Sequence, residues 1–405
     1  MTDTAPHDRA PAPATPDDEH RFPCDRCGAD MRFAPGQDRL VCDHCGNENE
    51  ITQADTEAAG GNWGAPAPGG IRELDFRTAM RDRLAHAEME ETRVSQCPSC
   101  GAQVTLPAEV HAKECPFCAT PVVTDTGTHR HIKPQGLIPF QLTERQAHDA
   151  MNAWLGRLWF APNGLKEYAR KGRKMEGVYV PFWTYDADTR SRYAGSRGTA
   201  YWVTVRGADG KSKRVRRMRW TPVSGRVARF FDDVVVLASR SLPGRFADGL
   251  QPWALGALTE YRPDFLSGFR AEGYTIDLDE GMEEARRVMD ARIRADIHRH
   301  IGGDAQRIAS VETEISDVTF KHVLLPVWVA AYRYRGRPYR FIVNGQTGKV
   351  QGERPWSAVK IAIAVIAALL LGAAVLYGLS LAEAADFDFG AFLPDFDPSL
   401  PPSLA

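Results

Sequence analysis

The chain has 405 residues, room for two or three domains, and its eight cysteines fall in two short modules. Residues 1–20 are polar and rich in Pro, Ala and Asp, unlike a secretory signal, which speaks against a disulfide framework. The formal charge of −2 hides a segregation: residues 130–360 hold 39 Lys and Arg against 25 Asp and Glu, residues 1–129 hold 11 against 22, and residues 361–405 hold none against 5.

Residues 1–20 have too little apolar content to fold and are expected to be a disordered leader. The first module, residues 21–52, contains CDRCGADMRFAPGQDRLVCDHC, in which Cys24/Cys27 and Cys42/Cys45 form two Cys-x-x-Cys pairs. A Gly- and Pro-rich stretch, residues 53–70, reads as a flexible linker. Residues 71–94 place Leu74, Met80, Leu84 and Ala87 at roughly helical spacing and predict a helix. The second module, residues 95–125, contains CPSCGAQVTLPAEVHAKECPFC, with Cys97/Cys100 and Cys115/Cys118. Shifting the first module by 73 places its cysteines on those of the second, with Gly28 on Gly101 and Ala29 on Ala102.

Two facing Cys-x-x-Cys turns present four sulfurs to one point, the tetrahedral donor set that zinc takes in closed structural sites. A redox motif needs one such pair on a thioredoxin-like unit, which four pairs at ribbon spacing do not match. Iron suits the same four thiolates, so the donor set leaves zinc and iron open, with zinc the expected ion, two per chain. With four protein ligands each, the sites have no open position for a reacting water, and their expected role is structural.

Residues 130–357 predict a basic α+β domain in which antiparallel hairpins interleave with helices. Helices are expected at 144–159 and from about Glu283 to Ile301, the latter ending at Gly302-Gly303. GVYVPFWTYDA (177–187) and VLLPVWVAAYRY (323–334) each carry an apolar run, then Pro and Trp; Pro181/Trp183 and Pro326/Trp328 read as a second, weaker repeat. YWVTVRGADGKSKRVRRMRW predicts a hairpin turning at 207–210, and YRYRGRPYRFIVNGQTGKV predicts turns at Arg335-Gly336 and Asn344-Gly345.

On that first hairpin Lys211, Lys213, Arg217 and Arg219 share one face with Val215, a candidate anion-binding stripe for lipid headgroups or nucleic-acid phosphates. A solvated edge strand guarded by charge accounts for the same residues. Catalytic patterns are thin. GADGKS lacks phosphate-loop spacing, FFDDVVV carries its acids on the wrong side of the apolar run for a nucleotidase strand, and no nucleophile elbow occurs. No catalytic residue is therefore assigned.

Residues 361–382 run twenty-two positions without a charge, long enough for a membrane-spanning helix. Lys349, Arg354 and Lys360 flank it upstream and no Lys or Arg follows. By the positive-inside rule the large N-terminal part lies in the cytoplasm and the acidic, Pro-rich tail, residues 383–405, lies outside.

Several stretches together resemble the bacterial membrane-anchored TFIIB-type zinc-ribbon-containing proteins: LDF at 74–76, EETR at 90–93 leading into CPSCGA, WFAPN at 159–163, GVYVPFWTYDA, RFFDDVVVLASRSLP at 229–243, GFRAEGY at 268–274, and LLPVWVAAYRYRGRPYRFIVNGQTGKVQGERPWS at 324–357. Members often carry a label as primosomal protein N' or superfamily II helicase-like proteins. This chain has no phosphate-binding loop and no helicase motor, so it is not by itself an ATP-driven helicase. Some relatives are associated with membrane-stress scaffolds of the SPFH and phage-shock type, which implies a non-enzymatic adaptor with a protein partner at the inner face of the bacterial cytoplasmic membrane. A nucleic-acid-binding role is the alternative that the label implies.

Overall fold

The computed structural model describes residues 22–51, 71–81, 84, 88–97, 99, 101–105, 112–117, 121–123, 128–160, 174–206, 212–334, 337–353 and 357–386. The expected leader, linker and most of the tail, with Cys100, Cys118, Lys211 and the 207–210 turn, lie outside them. The architecture is mixed α+β with antiparallel sheets. Residues up to Trp154 together with Lys171–Glu353 form one compact unit; Leu155–Arg170 and Arg354–Ala405 form another.

The first module is a three-stranded antiparallel sheet of β1 (Met31–Ala34), β2 (Arg39–Cys42) and β3 (Glu48–Glu50). There follow β4 (Leu74–Asp75), α1 (Phe76–Ala79), β5 (Met89–Gln96), β6 (Gln103–Thr105), β7 (Ala112–Glu114), β8 (Pro121–Val123), β9 (Thr128–Ile132), β10 (Gly136–Leu137) and α2 (Glu144–Arg157). The rest of the large unit comprises β11 (Glu176–Arg206), β12 (Ser212–Leu237), α3 (Gly244–Leu250), β13 (Thr259–Glu260), β14 (Arg270–Gly273), α4 (Leu278–Ile301), β15 (Ala305–Tyr334), β16 (Arg337–Asn344) and β17 (Val350–Gly352). The smaller unit contains α5 (Ala358–Asp386).

The helix expected over 71–94 is not what forms. Among the described residues of that stretch the α-helix is Phe76–Ala79, capped by Asp75, whose carboxylate accepts from Thr78 N at 2.7 Å. Met89–Gln96 is a strand that pairs with β9 through Met89–Arg93 and with β6 through Val94–Gln96. Ladder partners on both stretches outweigh a weak 3.6-residue periodicity. The second module is consequently joined to the domain's sheet, since β6 also pairs β14 at Glu272↔Val104.

Three very long strands, β12, β11 and β15 in that spatial order, form the centre. At about 3.3 Å per residue β11 extends for roughly 100 Å. The two Pro–Trp segments pair with each other antiparallel, Tyr179 opposite Pro326, Val180 opposite Leu325 and Pro181 opposite Leu324.

Around Val180 and Leu325 the hydrogen bonds obey a local two-fold symmetry. Trp328 Nε1 donates to Leu142 O, just before α2; Trp183 Nε1 donates to Ile276 O, just before α4, both at 2.9 Å. Ala238 N donates to Pro181 O as Gly345 N donates to Pro326 O, and Ile276 N reaches Ala238 O as Leu142 N reaches Gly345 O. β14 pairs parallel to β11 at Val178 and Tyr179, and β10 pairs parallel to β15 at the matching Val323 and Leu324. Phe140 meets Trp328 edge-on, and Tyr274 packs tilted against Trp183. The weak Pro–Trp repeat thus marks a duplicated strand–helix–strand–strand unit whose halves exchange indole contacts.

Helix α4 lays Met282, Ala285, Met289, Ile293, Ile297 and Ile301 on one face of the long strands. It begins five residues before the expected Glu283 and includes Gly281, a poor helix former that obscures the start. A Cβ at Gly281 would fall 2.5 Å from Tyr185 Oη, so glycine lets the helix close on the sheet. The Tyr185 hydroxyl donates to Leu278 O at 2.7 Å.

Beside this helix His322 is fully enclosed, its Nδ1 2.7 Å from Ile132 O and its ring against Trp183. Burial, with His131 adding to it, pushes the imidazole down to about 4 against the pull of that carbonyl. The unfolded chain therefore binds the proton first. His322 contributes stability above pH 6.5 that is lost as pH falls towards 4, by up to ~3 kcal/mol. Thermal melts should fall across that window, and His322→Gln should flatten this part of the profile; an unchanged profile assigns the effect elsewhere.

Candidate metal centre

The first module closes around four sulfurs. In each knuckle the first cysteine's carbonyl accepts from the glycine four residues on, Gly28 N to Cys24 O at 2.8 Å and Gly46 N to Cys42 O at 2.9 Å. Both glycines have φ near +70°, a conformation that side chains rarely adopt. Strand pairing Met31↔Cys42 brings the knuckles face to face.

Cys24 Sγ lies 3.5 Å from Cys45 Sγ, Cys27 Sγ 3.5 Å from Cys42 Sγ, and all four sulfurs lie within 4.8 Å of one another. Zinc–sulfur bonds of ~2.3 Å imply sulfur–sulfur edges of about 3.8 Å in a tetrahedron, so the donor set fits the ion. Electrostatics agree. Burial opposes ionisation of Cys24, but the N–H groups of Arg26 and Cys27 bring it down to about 6. Against the N–H of Ala29, the neighbouring sulfurs push Cys27 up to about 12. Four thiols this close cannot all ionise unless a cation sits among them.

The second module repeats the first knuckle. Gly101 N donates to Cys97 O at 2.9 Å and Cys97 N to Ala102 O at 2.8 Å, as Cys24 N does to Ala29 O. Cys97 and Cys115 are buried in one cluster with Ala102, Phe117, Phe182, Leu242 and Phe246. The other two candidate ligands lie outside the described residues, so half of this set is placed.

The first module also docks on the body. Phe33 N donates to Ser267 O, Ser267 Oγ to Met31 O, and Gly36 N to Phe140 O. Phe33 packs edge-on against Phe265 at 5.2 Å. A cavity of about 360 Å³ remains beside this contact, lined by Arg32, Glu144, Lys174, Arg270 and Trp328 among others.

Of the anion-binding stripe, Lys213, Arg217 and Arg219 fall on one face of the β11–β12 hairpin with Val215, as alternation requires. Strand β12 is an edge strand and tolerates Pro222 within it. The stripe reading omits the other face, where Arg214 stacks over Trp202 at 5.8 Å and Arg307 over Trp220 at 4.0 Å. Long-range strand pairing brings Trp202 and Arg307 there, and local alternation does not reveal it.

FFDDVVV has a role that sequence order concealed. A bulge between Tyr185/Ala187 on β11 places Asp186 against Asp232 and Asp233. Lys321 enters among them, its Nζ 2.8 Å from Asp233 Oδ1, 2.9 Å from Glu73 Oε1 and 3.5 Å from Asp186 Oδ2. Burial works against the charged ammonium, but Asp233 and Glu73 hold it well above the ordinary lysine value. Burial and the Glu73 carboxyl push Asp186 up to about 7. Lys321 supplies the cation that Asp186 and Asp233 face. Elsewhere Ser239 and Ser241 donate to Glu272 at 2.6 and 2.9 Å; all three are buried, an arrangement that satisfies an enclosed carboxyl and presents no nucleophile to solvent.

Metal analysis should find an ion bound through the first module, lost in Cys24→Ser together with the packing of Phe33; full retention in the variant overturns the site. Lys321→Met leaves the buried Asp186 without its cation and should cost about 3 kcal/mol in thermal or denaturant melts, whereas a loss below ~1 kcal/mol would show that the cluster is hydrated.

No family model matches the chain, and no solved structure matches it. It is similar to a curated protein, Uncharacterized protein YdjG of Bacillus subtilis (strain 168), with 26% identity over 240 residues, covering 57% of this chain and 67% of that protein.

Proposed function

We propose that the chain is a non-enzymatic, membrane-anchored adaptor whose metal-bound ribbons and basic α+β body present a protein-binding surface at the inner face of a bacterial cytoplasmic membrane. The observation that carries this reading is α5. Its segment Ala358–Leu379 is 22 residues long, its most apolar window has mean hydropathy 2.7, and none of that window is buried. Leu369, Leu370 and Leu371 each expose two thirds of their surface, a state that a bilayer satisfies and water does not. Lys360 at its start donates to Trp159 O at 3.0 Å, a cation and an indole where an interface would lie. The basic flank upstream and the acidic tail downstream support a cytoplasmic body.

Closed four-sulfur sites support shape, not turnover, and the second module is read as taking a second zinc ion. An SPFH or phage-shock-type scaffold is the partner that the family resemblance implies. The exposed Trp202, with Arg214 over its ring, favours one competing reading, nucleic-acid binding, because exposed aromatic faces accept unpaired bases.

A reporter fused after Ala405 should behave as extracytoplasmic and one fused before Cys24 as cytoplasmic. A cytoplasmic C-terminal reporter reverses the orientation, and recovery of the full chain in the soluble fraction removes the anchor. Elemental analysis should give two zinc ions per chain and one in Cys97→Ser; a parent with one ion removes the second site.

A further inference from the structure

The duplicated core has one large asymmetry. In the second half the hairpin closes early, β15 and β16 ending at Tyr334↔Arg337. In the first half the equivalent ladder continues past Thr189↔Arg229 to Arg206↔Ser212. That extension, about 55 Å at ~3.3 Å per residue, is an arm without a counterpart in its twin. The C-terminal part of α4 and the early part of β15 brace its base, with Arg229 bound to Asp296 through two hydrogen bonds. The third strand stops at Ala305↔Gly198, and beyond it only β11 and β12 go on.

This two-stranded end is chemically unlike the rest of the surface. Tyr201, Trp202, Val205 and Val215 expose 37%, 59%, 38% and 41% of their surface. Lys213, Arg217 and Arg219 share a face with Tyr201, Val205 and Val215; Arg206, Arg214 and Arg216 share the other with Trp202. Residues 199–206 and 212–219 contain no Asp or Glu. Asp304 sits at the base, accepting from Ala200 N and pairing with Arg216 at 3.7 Å, and the stretch between the two strands adds one further acid, Asp209.

We infer that the two-stranded end of the arm, residues 199–206 and 212–219, is a second membrane contact that sits in the headgroup region of an anionic bilayer. This rests on the anchored reading above. Charge complementarity comes from seven Lys and Arg against one acid over residues 199–219, opposite lipid phosphates. Trp and Tyr are the side chains that settle at the membrane–water boundary, and Arg219 over Tyr201 at 5.4 Å, like Arg214 over Trp202, lets guanidinium and ring enter together. Nucleic acid fits less well. Valines at 205 and 215 cannot stack on bases, and apolar side chains on both faces suit insertion of the whole end better than a polymer lying along one face.

The full-length chain, reconstituted in lipid nanodiscs of phosphatidylcholine alone or with phosphatidylglycerol, tests this through quenching of tryptophan fluorescence by brominated lipids. The Trp202 contribution is the difference between parent and Trp202→Phe. It should be quenched in the anionic discs at low salt, released at high salt, and unquenched in neutral discs. The Lys213→Gln/Arg217→Gln/Arg219→Gln variant should weaken the contact on the order of a hundredfold, at ~1 kcal/mol per cation, with zinc content and melting unchanged. Equal quenching in both disc types, none in either, or displacement of the arm by added DNA would overturn the inference. Failure of the chain to co-elute with any disc would instead overturn the anchor, and this inference with it.

Discussion

The antiparallel pairing of β11 and β15 about Val180 and Leu325 is the constraint on which the molecule depends. Val178, Val180, Phe182, Val323, Leu325 and Val327 are all almost fully enclosed, and burial of such side chains contributes about 1.5–3 kcal/mol each. The same crossing fixes the two indoles, each holding the segment that leads into the other half's helix. Neither half is complete alone, because the carbonyl that accepts its tryptophan belongs to its twin.

The cysteine modules become parts of the body through this centre. The second module contributes Cys97, Cys115 and Phe117 to the cluster that covers the strand crossing, and its strand β6 extends the sheet. The first module is held by backbone bonds to Ser267 and Phe140. Metal binding to such modules is coupled to folding, since the ligands converge only in the folded chain.

At the base of the arm the strands change register around Lys321. A lysine shared by Asp233, Glu73 and Asp186 is costly to bury and more costly to break, so its worth lies in fixing where the bulge falls. A one-residue slip there would turn every arm side chain to the opposite face and exchange the two sets of cations.

Much of this was legible in the chain. Cysteine spacing determined the four-sulfur site, because ligands that are local in sequence converge through two short turns. Hydropathy alone determined the long apolar helix, since an uncharged run of that length is visible without any distant partner. Alternation correctly assigned Lys213, Arg217 and Arg219 to one face of a hairpin, and the Pro–Trp repeat foreshadowed the duplication. Only the tertiary structure decided that residues 89–96 form a strand, that Asp186, Asp233 and Glu73 surround Lys321, and that the halves exchange indoles. Residues 89–96 take their form from pairing with β6 and β9, and the other two features from partners far away in the chain and a bulge that shifts the register at Asp186; local periodicity carries no record of any of these.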